Sequence, residues 1–380
     1  MTVTHVHWAA LPTMGGIETH LESLVAALRS SGQEVDYRAG TRNARSAVFH
    51  PCLEPGGSCS ATDLQDLVDL IASTDVLHLH NPQWHRPDVT DQVIDRLAAG
   101  GWSGTCVLDV HNLAERGTDT VALRRWSGLG AHIVAHSEFV ASELRTEVPG
   151  ATVTTLPLAL PEQPPQDAGP AYPRSPRPTV LQPTRLSSWK GSDVSLTAVV
   201  ELLEGGADLD FVQAGSQNPL WDPNIGDDLM RRVQPWRERG RVRFVHYEPP
   251  LSWTAIRSAD LILHPTTGTG ARGEPYSMSV AQAILADKPV VVTRSGNLPT
   301  LVAGYPAARV VPPGDVAALR DTIAEYLGGV WPTRDATTSP ARTTLARFHG
   351  SAVRRHLDLY ASLARAGAEA GAGAAMEVRG

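Results

Sequence analysis

The sequence predicts an α/β chain of two doubly wound units, each a parallel sheet covered by helices on both faces. Three observations predict it. At 380 residues the chain is too long for one ordinary core and fits two domains of common size. Short β-branched runs alternate with segments of helical period. A proline-rich stretch from Pro157 to Pro178 then breaks the alternation, which restarts after it.

In the first half the expected strands are Val3 to Ala9, Asp75 to His80, Cys106 to Val110, His132 to His136 and Thr152 to Leu156. Helices are expected between them. Ile17 to Arg29 places Ile17, Leu21, Leu24, Val25 and Leu28 on one face, and Leu64 to Ile71 and Val89 to Leu97 repeat the spacing. These elements form one Rossmann-like domain over residues 1–160, followed by a linker over 161–177. The second domain, 178–342, reads as strands Thr179 to Gln182, Leu209 to Ala214, Val242 to Val245, Leu261 to His264, Val290 to Thr293 and Arg309 to Val311. A C-terminal helix over 343–366 is expected to pack back on the first domain, and the Ala/Gly-rich end, 367–380, is expected to be disordered.

Composition narrows the function classes. The formal net charge of -7 advertises no basic face, so nucleic acid is not an expected partner. No basic, apolar leader opens the sequence and no apolar run is long enough to span a bilayer, so neither export nor stable membrane insertion is expected. The three cysteines, Cys52, Cys59 and Cys106, are odd in number and lack paired metal spacing. They are expected to be reduced thiols in a cytoplasmic protein.

Positive charge is carried almost wholly by arginine: of 33 Lys and Arg residues only Lys190 and Lys288 are lysine. Lys190 stands in Arg185-Leu-Ser-Ser-Trp-Lys190-Gly191, where a strand hands over to a helix. A compact ammonium beside a flat guanidinium fork suits a diphosphate. A solvated helix face would carry the same residues. Lys288, before Pro289 at a strand entry, reads as an ordinary surface charge.

Two glycine-rich turns add candidates. Gly15 and Gly16 join the first strand to the first helix, where the backbone can approach an anion or sugar, or merely turn. Gly268, Gly270 and Gly273 match a dinucleotide fingerprint. The strand after them lacks the acidic residue such a site wants, although Arg294 would suit a 2′-phosphate. In the same region Glu274, ahead of a helix N-terminus at Tyr276, Ser277 and Met278, puts a carboxylate beside backbone N–H donors. Gln282 follows about two turns along that helix.

Taken together, Gly15-Gly16-x-Glu18, Arg185 with Lys190-Gly191, and Glu274-Pro275-Tyr276-Ser277 resemble, in order, the three signatures of family-4 retaining glycosyltransferases of the GT-B fold. The resemblance implies two Rossmann-like domains facing across a cleft, the second holding a nucleoside diphosphate sugar as co-substrate and the first holding the acceptor. It implies that Arg185 and Lys190 take the donor diphosphate, that Glu274 takes donor-sugar hydroxyls, and that Tyr276, Ser277 and Met278 approach sugar and phosphate. It also implies that His111, in Leu108-Asp109-Val110-His111-Asn112, reaches the donor sugar. The turn Ala135-His136-Ser137-Glu138 looks like a further family segment.

Glu18, His80, Asn81, Gln83 and Trp84 are expected to line the acceptor side. The clustered histidines would suggest a metal, but no carboxylate completes a set in the sequence, and none is expected. One departure is clear: the family's second Glu is Gln282 here, which can still meet a ribose hydroxyl but without charge. A retaining enzyme of this type needs no metal cofactor if Arg185, Lys190 and helix N-termini stabilise the leaving diphosphate. The first helix carries Glu18, Glu22 and Arg29, which favours a small soluble acceptor; the Ala-, Arg-, Gly- and Val-rich composition suggests a high-GC bacterium, and the unusual acceptor loop suits a small molecule such as an antibiotic intermediate, hence a role in bacterial antibiotic biosynthesis. A lipid or polysaccharide acceptor, an NADP-linked oxidoreductase and a non-catalytic nucleotide-sugar-binding subunit are the alternatives, and a homodimer is a possible assembly.

Overall fold

The computed structural model describes residues 1–380 apart from 14, 84–85, 114–119, 165–168, 170, 174, 216–224, 247–250, 332–337 and 378–380. Two compact units are present, Met1–Leu160 with His349–Gly380, and Pro161–Phe348.

The first unit contains strands β1 Thr2–His7, β2 Glu34–Ala39, β3 Val48–Phe49, β4 Val76–His80, β5 Thr105–Asp109, β6 His132–Ala135 and β7 Val153–Thr155. They lie in the order β3-β2-β1-β4-β5-β6-β7, and every pairing is parallel. Helices α1 Gly16–Ser30, α2 Ala61–Ala72, α3 Pro87–Ala99, α4 Thr120–Gly128 and α5 Glu138–Glu147 connect them. In α1 the predicted stripe is buried as Leu21, Leu24, Val25 and Leu28. Strands β2 and β3 are absent from the sequence reading. In β2 charged residues Glu34, Asp36 and Arg38 occupy alternate positions and are not buried, and β3 is two residues long.

One face of this sheet changes character along its length. Val3, Val76, Val107 and Val134 pack with Leu24, Leu28 and Tyr360 in a single apolar cluster. Two residues further along the same face, the period of two brings His5, His78 and Asp109 inward, and His7 and His80 follow. The sheet thus carries a buried polar layer toward the C-terminal ends of its strands.

The second unit contains β8 Thr179–Gln182, α6 Ser192–Glu204, β9 Asp210–Ala214, α7 Asp227–Glu238, β10 Val242–Val245, α8 Leu251–Ser258, β11 Leu261–His264, α9 Met278–Leu285, β12 Val290–Thr293, α10 Leu298–Leu301, β13 Ala308–Val311 and α11 Val316–Leu327. Its sheet runs β10-β9-β8-β11-β12-β13, again parallel. Val180, Phe211, Leu261, Leu263 and Val291 face one core, and Leu181, Val212, Ile262, Val290 and Val292 face the other. Apolar residues on both faces explain runs such as Val290-Val-Val in a parallel sheet. The proline-rich stretch packs on this unit. Tyr172 is buried and its hydroxyl donates to the Ala255 carbonyl at 3.0 Å, while Trp253 Nε1 donates to Pro161 at 2.8 Å.

Helices α12 Pro340–Gly350 and α13 Ala352–Glu377 end the chain. The second anchors on the first unit, with the Tyr360 hydroxyl 2.7 Å from His78 Nδ1. It continues past residue 366, where a structureless tail is expected, because its alanines favour helix despite interspersed glycines. A second correction concerns the thiols. Cys52 and Cys59 form a disulfide, brought to a Cα separation of 4.4 Å by the turn between them, while Cys106 is free. This pairing removes the cysteine argument for a reducing compartment. No helix among the described residues is long and apolar enough to cross a membrane.

Candidate functional site

In each sheet the strand order reverses beside the first strand of the unit, between β1 and β4 and between β8 and β11. Loops leaving the C-terminal ends of such strands make the ligand crevice of an open α/β sheet. The described predicted residues fall on these loops or on the elements beside them, in one group per unit: His80 ends β4, His111 follows β5, Glu18 lies in α1, and Met278 and Gln282 lie in α9.

In the second unit, the loop after β8 carries Arg185 and Lys190, and the loop after β11 carries Glu274. Lys190 Nζ lies 2.8 Å from Glu274 Oε2, joining two motifs that are 84 residues apart. His264 Nε2 at 3.1 Å and the Thr266 hydroxyl at 3.0 Å converge on the same oxygen. Burial pushes the Glu274 carboxyl up, but the Lys190 ammonium and His264 outweigh it and hold it at about 2. Burial lowers His264, so its Nε2–H donates from a neutral ring to the ionised carboxylate. Lys190 also sits 4.2 Å over the Trp189 ring, which fixes the ammonium from a second side.

The backbone explains the glycines. Gly191 caps α6 at φ 72°, where a Cβ would overlap the Pro265 carbonyl, so only glycine lets the two loops meet there. The dinucleotide-like run serves a different purpose. A Cβ on Gly273 would strike Gly296, and Gly270–Arg272 is a 3-10 turn rather than the start of a helix. The next helix, α9, begins only at Met278, after Glu274, with Ser277 Oγ capping it through the Val280 N–H at 3.2 Å.

Tyr276 and Met278 flank that cap, and burial raises the Tyr276 hydroxyl. Gln282 is buried in α9 and its amide donates to Ser252 Oγ at 3.0 Å. Arg185 is exposed at the loop start.

In the first unit, Gly15 caps α1 in extended conformation and Gly16 is its first residue. Glu18 is buried and points at His7, with Oε1 3.5 Å from His7 Nε2. Asn81, at φ 44°, is fully buried, and its side-chain oxygen accepts the His111 N–H at 2.8 Å, so it ties the ends of β4 and β5 together. The Gln83 amide is buried with both polar atoms unpaired. Trp84 lies outside the described residues.

His80 and His111 meet in a cluster whose centre the sequence reading missed. Asp109, fully buried, has Oδ2 3.2 Å from His80 Nδ1 and 3.5 Å from His78 Nε2. Its Oδ1 lies 3.4 Å from His111 Nε2 and 2.9 Å from His136 Nε2. The expectation that no carboxylate completes the histidine cluster is therefore corrected: Asp109 comes from the neighbouring strand, paired with His80 in register. Burial would raise its carboxyl, yet His111 and His136 hold it well below the usual range. Burial drives His80 down to about 3 and lowers His111 as well, so these rings are neutral at neutral pH. The signal available in the sequence was the repeated spacing of two in His5-x-His7, His78-x-His80 and Asp109-x-His111.

Two parallel α/β sheets of seven and six strands, with loops placed in this way, define the GT-B fold. Residues 177–328 match the family described as glycosyl transferases group 1. A curated relative, D-inositol 3-phosphate glycosyltransferase of Corynebacterium efficiens, is 30% identical over 147 residues, 38% of this chain; the match spans about a third (33%) of that relative's length. Among solved structures, Anabaena HepE in complex with UDP-glucose superposes with a TM-score of 0.71 at 14% identity, covering 95% of this chain and 100% of that one. AviGT4, a glycosyltransferase involved in avilamycin A biosynthesis, superposes at 0.61 and 17% identity, covering 96% and 98%.

Proposed function

We propose that this chain is a retaining glycosyltransferase that moves a sugar from a nucleoside diphosphate sugar to a small soluble acceptor. The observation that carries the reading is the 2.8 Å contact between Lys190 and Glu274, which unites the two donor motifs on loops flanking one switch point. Before donor binding, Glu274 holds the Lys190 ammonium in place. An incoming diphosphate offers that ammonium and the Arg185 guanidinium a second anion, and frees Glu274 to accept sugar hydroxyls. The α9 N-terminus, behind Tyr276, Ser277 and Met278, adds backbone donors.

With the leaving charge met by two cations and a helix end, departure of the diphosphate calls for no metal at that site. Gly15, Gly16 and His111 complete the donor side in this reading, with Glu18, His80 and Gln83 on the acceptor side. HepE, solved with UDP-glucose, supports a uridine nucleotide, and AviGT4 supports a role in antibiotic biosynthesis. Gln282 keeps a neutral amide near the donor loop, and because its nitrogen donates to Ser252 Oγ, its oxygen is the atom that would accept from a ribose hydroxyl.

Thermal denaturation with a panel of nucleoside diphosphates and their sugars tests the proposal. A ligand present at 100 times its Kd stabilises the native state by about 2.7 kcal/mol. A rise in Tm with one nucleotide and its sugars is expected; no rise with any of them contradicts the reading.

A further inference from the structure

Three ligand atoms of the first unit converge on one point: His80 Nδ1, His111 Nε2 and the Asp109 carboxylate. The separations are 3.2 Å from His80 Nδ1 to Asp109 Oδ2, 3.4 Å from His111 Nε2 to Asp109 Oδ1, and 3.5 Å between the two nitrogens, so each nitrogen faces its own oxygen of one carboxylate. A tetrahedral zinc ion with bonds of about 2.0–2.2 Å needs ligand atoms about 3.3–3.6 Å apart. Hydrogen bonding accounts for part of the group, since His136 Nε2 lies 3.0 Å from Asp109 Oδ2. Asp109 Oδ1 accepts no hydrogen bond although two imidazole nitrogens lie within 3.4 Å of it.

The surroundings are those of a built site. An outer contact orients the His80 ring, whose Nε2 lies 3.0 Å from His5 Nδ1, while Asn81 holds the His111 backbone. Such contacts orient metal-binding histidines and set their tautomers. The Asp109 and His80 side chains are fully buried, whereas that of His111 is 9% exposed, so the fourth position opens on the His111 side.

We propose that His80, Asp109 and His111 bind one divalent transition-metal ion of zinc-like preference, with two imidazoles, one carboxylate and a fourth, open position. The proposal goes beyond the glycosyl-transfer reading and needs none of its residues in the second unit. It has one consequence for that reading: a metal on His111 takes the side chain that the reading gives to the donor sugar, so metal occupancy inhibits transfer and a chelator restores it.

The test uses the untagged full chain, stripped with a chelator and titrated with cobalt(II). One equivalent is expected to bind with the intense visible absorption of tetrahedral cobalt, and zinc is expected to displace it. Asp109→Asn keeps the shape of the side chain and removes its charge, while His111→Ala truncates the most exposed ligand. Each is expected to weaken binding by at least about 100-fold, beyond the ~10–100-fold of outer-shell changes. Thermal melts identify any variant that fails to fold, and the other variant then decides. Weak octahedral cobalt spectra, or stoichiometric binding unchanged in a folded variant, overturn the proposal and leave the cluster as an imidazole hydrogen-bond network. The spectra do not depend on donor binding, so this failure and failure of the transferase reading are distinguishable.

Discussion

The Lys190 ammonium and the Glu274 carboxylate are nearly buried together, at 17% and 4% side-chain exposure, and each compensates the other. Lys190→Ala leaves Glu274 buried without its cation, a change that costs about 3–5 kcal/mol in buried pairs. The variant is expected to melt earlier and to lose donor turnover. Adding Glu274→Gln is expected to restore part of the stability and none of the turnover; recovery of turnover in the double variant contradicts the proposed diphosphate-binding role of Lys190. The pH dependence has a definite sign. Folded Glu274 ionises at about 2 against an ordinary 4.5, so its contribution is full above about pH 4.5 and is lost as pH falls through about 2. Glu274→Gln is therefore expected to flatten the acid limb of a Tm profile in that window. Gly191→Ala is expected to destabilise by more than the ~1 kcal/mol usual for a left-handed position, because its Cβ also meets Pro265; an unchanged Tm contradicts the loop contact.

At the scale of elements, the strands of the second unit were the most legible. Thr179–Gln182, Leu261–His264 and Val290–Thr293 were read with their observed bounds, because strands buried on both faces are largely apolar runs between turn residues; the part-buried edge strand Val242–Val245 was read with its bounds although Arg243 interrupts it. Strand β2 escaped because charge alternates along it, and the disulfide escaped because sequence spacing does not reveal that a turn closes. Lys190 and Glu274 were legible through their local motifs, whereas Asp109 was not, since its histidine partners come from β4 and the segments after β5 and β6. The C-terminal helices offer a prediction at this scale. Burial lowers His349 to about 4 and His356 to about 3, and each ring sits against a backbone carbonyl, Leu158 and Ala352. Because the folded values lie below 6.5, the unfolded chain gains protons first. The stability from these rings is full above pH 6.5 and falls as pH drops toward 4 and then 3. Hydrogen exchange in α13 is expected to quicken between pH 7.5 and 5 relative to α6, which holds no histidine; equal pH dependence contradicts this anchoring.

For the whole molecule, the two-unit division and parallel sheets follow from alternation, a proline-rich break and a restart, and the fold agrees with structures only 14–17% identical in sequence. Function does not follow from that likeness alone, since one fold hosts many chemistries. The proposed function rests on the family match of residues 177–328 and on the contact between the loops that carry Lys190 and Glu274. The most direct measurement is calorimetric titration of the full chain and its Lys190→Ala variant with nucleoside diphosphates. The account predicts saturable binding of one nucleoside diphosphate by the wild-type chain and a loss of about tenfold to a hundredfold in the variant, the worth of about 1.4–2.8 kcal/mol of charge-assisted contact. Equal affinity in the two proteins, or no binding by the wild-type chain, would contradict it.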